Sequence, residues 1–164
     1  MCGIAGLIHR GKSTNVGGEM QNMLQSLKHR GPDSTGYALY GDSGLSDYVL
    51  RFKVGENVKE GSSAIVEEDS IYQKRKEQVN SEITNGGAEI IEQKQITPYS
   101  FRYIIKTDDD LLDLSKKIES VEMTEILSLG KSLELVKDLG DATTVATQYG
   151  LSNFSGTHGI GHTR

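Results

Sequence analysis

Met1-Cys2-Gly3-Ile4-Ala5-Gly6 opens the chain and carries its only cysteine. Removal of Met1, usual when a small side chain follows, leaves Cys2 with a thiol and a free α-amine on one carbon. Such an amine has a pKa of about 7.7 to 8.0, so near neutrality much of it is unprotonated and accepts the thiol proton directly or through water. No catalytic histidine is then required. Ile4 and Leu7 are apolar enough to bury the start of a strand, and Gly3 and Gly6 let backbone and substrate come close. On these residues alone, an accidental free thiol after Met1 is an equally good reading, because a short motif is only a hypothesis.

Two further stretches change that balance. His29-Arg30-Gly31-Pro32-Asp33-Ser34 and His158-Gly159-Ile160-Gly161-His162-Thr163-Arg164 accompany the Met-Cys-Gly start. Taken alone, the first is a helix stop: basic side chains oppose the negative helix end, Gly31 suits a left-handed cap and Pro32 forbids continuation. The second, framed by Gly156, Gly159 and Gly161, reads as a core strand ending in an arginine. A guanidinium matches a carboxylate with two parallel hydrogen bonds that lysine does not reproduce. His158 and His162 are in the usual setting of buried, satisfied histidines beside a glycine-rich strand, and neither is assigned as general base.

Together the three motifs resemble class II glutamine amidotransferases with an N-terminal cysteine nucleophile. Within that family they look most like the separate glutaminase subunit of archaeal-type glutamate synthase and its N-methylglutamate synthase relatives. The close resemblance covers roughly the first forty residues and the last ten or so; the middle matches loosely, mainly in Ser128-Leu129-Gly130-Lys131-Ser132 and Lys137-Asp138-Leu139-Gly140. The resemblance implies an α+β fold, part of the αββα sandwich of N-terminal-nucleophile hydrolases. Residues 1–164 would be the N-terminal part of the amidotransferase domain, with 41–157 as a family-variable insertion forming a small α+β layer. It also implies Cys2 as nucleophile, Arg164 as the clamp on the α-carboxylate of glutamine, and Arg30 and Gly31 as shapers of that end of the pocket. Expected partners are glutamine and an ammonia-accepting synthase subunit or domain. In the family the oxyanion donors come from an Asn-Gly pair downstream of the arginine motif, and an acidic residue farther on holds the substrate amine. No residue follows Arg164, so the expectation is an N-terminal portion of a longer protein with an exposed sheet edge and weak activity on its own. The alternatives are the glutaminase domain of asparagine synthetase or amidophosphoribosyltransferase, or a noncatalytic subunit that senses glutamine or organises an assembly.

Composition bounds the remainder. The 164 residues suffice for a real core, and a formal net charge of -5 argues against a nucleic-acid or anionic-membrane surface. One cysteine excludes an intramolecular disulfide, and no apolar run approaches a membrane span, so we expect a cytoplasmic protein with a reduced thiol. No cofactor is expected in this chain. Asp108, Asp109 and Asp110 precede an amphipathic run and read as helix caps, so no metal is assigned either.

Local patterns give the expected elements. A first strand over 2–9 should lie inside the sheet, followed by a helix over 18–28 and a strand over 36–40. Tyr48, Leu50, Phe52 and Val54 alternate as a strand with one apolar face, as do Tyr99, Phe101, Tyr103 and Ile105. A solvated helix is expected over 62–80, and 88–96 is either a strand or an exposed connection. Residues 125–139 fit either a helix or two strands around Gly130-Lys131. A hairpin is preferred, since glycine inside a helix costs about 1 kcal/mol. Gly140-Asp141 then supplies a stop and the N-cap of a short helix.

Overall fold

The computed structural model of the protein describes residues 2–31, 33–41, 46–56 and 69–164. Pro32, the Asp42-Ser43-Gly44 turn, the expected break after Glu56 and the first part of the 62–80 helix lie outside the described residues. The chain forms two compact units, one of Met1–Leu45 with Ser132–Arg164 and one of Ser46–Lys131.

The first unit contains strands β1 (Gly3–Ile8), β2 (Ser34–Tyr40), β7 (Leu133–Leu139) and β8 (His158–Thr163) and helices α1 (Val16–Ser26) and α4 (Ala142–Gln148). Its sheet is antiparallel in the order β1-β8-β2-β7. Among the described residues β1 is therefore an edge strand and not the expected interior one. Its apolar pattern misplaces the buried face as well, since Ile4 and Ile8 are exposed while Gly3 and Ala5 are buried; glycine-rich β8 pairs on both sides and takes the inner position. Helix α1 packs on β1 and β8 and touches α4. Glycines on that face of β8 admit the helix, with a Leu24 methyl close to Gly161. Asn15 caps α1 by accepting from Gly18 N–H at 3.0 Å, so the helix starts and ends two residues earlier than expected. The basic residues Lys28, His29 and Arg30 follow in a separate 3₁₀ turn.

Alternation decides what each face of this sheet does. Tyr37, Leu39, Val136 and Ala5 turn toward the helices and are buried, while Ile4, Ile8 and Ile160 lie on the other face with exposures of 70%, 72% and 53%. That second face is apolar and open, with a shallow depression lined by Ile4, Ala38, Leu135, Ile160 and His162.

The second unit contains β3 (Tyr48–Lys53), β4 (Glu89–Thr97), β5 (Ser100–Lys106), β6 (Glu125–Gly130), α2 (Asp69–Asn85) and α3 (Leu111–Glu119). Its antiparallel sheet runs β4-β5-β3-β6, and 88–96 is thus resolved as a strand. Phe52, Phe101 and Tyr103 meet in its core, with Phe52 stacked on Phe101 at 5.3 Å and edge-on to Tyr103 at 5.0 Å. Asp110 caps α3 through Leu112 and Asp113 N–H, as expected of the acidic run. Helix α2 is less solvated than its composition suggests. Tyr72, Arg75, Val79 and Ile83 form a buried stripe in which Arg75 donates to Val54 O at 3.1 Å, and a charged residue in the stripe had masked its period.

Residues 125–139 hold the two expected strands but no hairpin. β6 pairs with β3 and β7 with β2, so the chain leaves one unit for the other at Lys131–Ser132. A glycine between two apolar runs marks a break and not a partner; the connection lacks the Asn-Gly or Asp-Gly chemistry of tight hairpins. The structural boundary of the second unit accordingly lies inside the expected 41–157 stretch, because β7 and α4 belong to the first.

Candidate functional site

The site is read where β1, β2 and β8 end together. Gly3 pairs with Thr163, and Thr35 pairs with Thr163 on the other side. One step along these registers sets Cys2 across from Arg164 and Arg164 across from Ser34. Cys2 has the parity of Ile4 and Arg164 that of Ile160, so both belong to the open face of the sheet. Cys2 is exposed, as is Arg164. A dense backbone network fixes this end: Arg164 N–H donates to Ser34 O at 2.9 Å, while Arg164 O accepts from Asp33 N–H at 2.8 Å and Ser34 N–H at 2.9 Å.

Gly3 and Gly31 are demanded by close approach. A Cβ on Gly3 would lie 2.9 Å from Thr163 Oγ1 and 3.0 Å from Leu27 Cβ. At Gly31 it would fall 2.4 to 2.5 Å from the Arg164 backbone. The expected left-handed cap at Gly31 is corrected here: its φ is -176°, extended backbone open to any residue. Glycine is required instead because the loop presses on the Arg164 main chain. Arg30, exposed at the end of the 3₁₀ turn, donates its N–H to Leu27 O at 2.8 Å. The sheet thus brings Cys2, Gly31 and Arg164 to one end, with Arg30 adjacent in the chain to Gly31.

The two histidines of β8 are half-buried in the sheet. His158 stacks on Tyr40 at 4.1 Å and its Nδ1 lies 2.9 Å from Thr157 Oγ1, while the His162 ring lies over Gly36. No group of three or more metal-ligating side chains occurs among the described residues.

No family model matches the chain. Over its whole length it is 36% identical to a protein of Methanothermobacter thermautotrophicus named "Putative glutamine amidotransferase", of which it spans 52%. The chain is also 25% identical, again over its whole length, to "Glutamine amidotransferase-like protein GlxB" of Rhizobium meliloti, of which it spans 50%. It therefore spans about half the length of both relatives. One feature of this corner left no mark in the sequence. Lys28 Nζ donates to Asp141 Oδ2 at 2.6 Å, tying the 3₁₀ turn before Gly31 to the start of α4. Asp141 was legible as an N-cap, and its Oδ1 does accept from Thr144 N–H and Oγ1, each at 2.9 Å. Its partner, 113 residues away, left no local signal. Among the described residues, no helix is long and apolar enough to cross a membrane.

Proposed function

We propose that the whole protein hydrolyses the side-chain amide of glutamine as a class II amidotransferase and delivers the ammonia to a synthase, of the glutamate synthase type. The supporting observation is the strand register that sets Cys2 across from Arg164. With Met1 removed, the Cys2 α-amine takes the thiol proton and the thiolate attacks the carboxamide carbon. The tetrahedral intermediate collapses to a γ-glutamyl thioester as the protonated amine gives its proton to departing ammonia. Water, deprotonated by the same amine, then attacks the thioester, releasing glutamate and restoring the thiol. Arg164 holds the glutamine α-carboxylate by two parallel hydrogen bonds, and Arg30 with Gly31 closes that end of the pocket. In this reading the fold is part of an αββα sandwich, and the open apolar face of the first sheet, with Ile4 and Ile160, is the face a second sheet covers. A cytoplasmic setting keeps the thiol reduced.

The test is glutamine turnover by the natural full-length protein and its Cys2→Ala variant. Loss of turnover in a variant that keeps its circular dichroism spectrum is the expected result. Undiminished turnover removes Cys2 as nucleophile.

A further inference from the structure

The stretch from the 3₁₀ turn to the start of β2 is tied to Gly140 and Asp141 by three separate contacts, none of them part of a sheet ladder. Gly140 N–H donates to Asp33 O at 3.0 Å, Thr35 Oγ1 donates to Gly140 O at 2.9 Å, and Lys28 Nζ meets Asp141 at 2.6 Å. Asp141 is four-fifths buried while Lys28 is half exposed, with side-chain exposures of 19% and 49%. The pair is therefore partly shielded from water on the Asp141 side. Gly31, Asp33 and Ser34, which contact the Arg164 main chain, lie within the stretch that these three contacts bracket.

We propose that Asp141, through its ion pair with Lys28, is a positioning residue that holds Gly31, Asp33 and Ser34 against Arg164. The effect passes along the backbone. Lys28 accepts the Gly31 N–H on its own carbonyl at 3.1 Å, Gly31 abuts the Arg164 main chain, and Arg164 is locked to Ser34 by paired hydrogen bonds. A shift of the turn at Lys28 reaches the Arg164 side chain without any change in the strand itself. The consequence for glutamine rests on the proposed role of Arg164; the mechanical link does not.

Two variants of the full-length protein separate these statements. Asp141→Asn keeps an oxygen that caps α4 but loses the charge, and Lys28→Met keeps an apolar stem without the ammonium. Amide hydrogen exchange at Gly31, Asp33, Ser34 and Arg164 should quicken about fivefold or more in both, with the β2–β7 ladder amides unchanged. Lys28→Arg should restore the wild-type rates. Glutamine KM should rise about threefold to tenfold in both variants with kcat within about twofold, and the double variant should be no worse than the poorer single one. Unchanged exchange in both variants, or a uniform rise across the whole unit, overturns the positioning role whatever the activity. Faster exchange with unchanged KM overturns its bearing on substrate. Faster exchange in a protein whose wild type does not turn over glutamine upholds the mechanical link and sinks the amidotransferase reading instead.

Discussion

A methyl group at Gly31 has nowhere to go, since the nearest atoms 2.4 to 2.5 Å away are main-chain atoms of Arg164 held by hydrogen bonds to Asp33 and Ser34. Gly31→Ala should cost about 1 to 3 kcal/mol, the usual penalty for overpacking a rigid site. Urea unfolding at neutral pH measures it; a midpoint equal to the wild type's would mean that the loop yields freely. At Arg164 the chemistry, not the packing, is at stake, because its side chain is exposed. If Arg164 clamps the glutamine carboxylate as proposed, Arg164→Lys removes one of two charge-assisted hydrogen bonds, a loss of roughly 1.5 to 3 kcal/mol, or about one to two decades in glutamine affinity. Calorimetric titration of the full-length protein with glutamine checks this, and an unaltered dissociation constant would take Arg164 out of the pocket.

At the scale of elements, Asp141 joins α4 to the 3₁₀ turn and its titration can be followed through stability. The hydrogen bond from Lys28, then that from Thr144 N–H, holds its carboxyl well below the usual carboxylate range, against a smaller opposing effect of burial. A folded pKa below the unfolded value of about 3.9 means that folding favours the charged form. The stabilisation is complete above that value and is lost as pH falls through the folded pKa. Wild type should therefore exceed Asp141→Asn in stability at neutral pH, and the gap should close between about pH 4 and the acid limit of folding. Urea midpoints of the two proteins across that range decide it, and a gap that stays constant would assign the difference to the cap alone. Nearby, Tyr37 donates to Ala142 O at 2.6 Å, and burial, then Asp141, pushes its phenol up, so it stays a neutral donor throughout this range.

On the scale of the whole molecule, the unit Ser46–Lys131 has an apolar core of its own, in which Leu50, Phe52, Phe101 and Tyr103 from the sheet meet Val79, Ile83, Leu114 and Ile118 from the two helices. A core of this kind is sufficient for domains of that size to fold alone. Ser46–Lys131 produced separately should unfold in one cooperative thermal transition with a native near-ultraviolet spectrum. Phe52→Ala, at a cost of about 3 to 5 kcal/mol, should abolish it. A broad, non-cooperative melt of the unsubstituted unit would show that its core depends on the rest of the chain.

Local pattern was enough to read most elements. Alternation marked β3 and β5, three- and four-residue spacing marked α1, and acids ahead of apolar runs marked the caps Asp110 and Asp141. These features are legible because strand and helix periods and cap hydrogen bonds involve residues only a few positions apart. The three stretches of the site were likewise visible as residue types in order. Tertiary structure alone decided that β6 and β7 pair in different sheets, that β1 lies at an edge, that Arg75 belongs to a buried stripe and that Gly31 is needed for contact rather than for its φ. It also decided that Lys28 finds Asp141. Periodicity states which face of an element is buried but not against what, and partners more than a hundred residues apart are chosen only when the whole sheet closes around them.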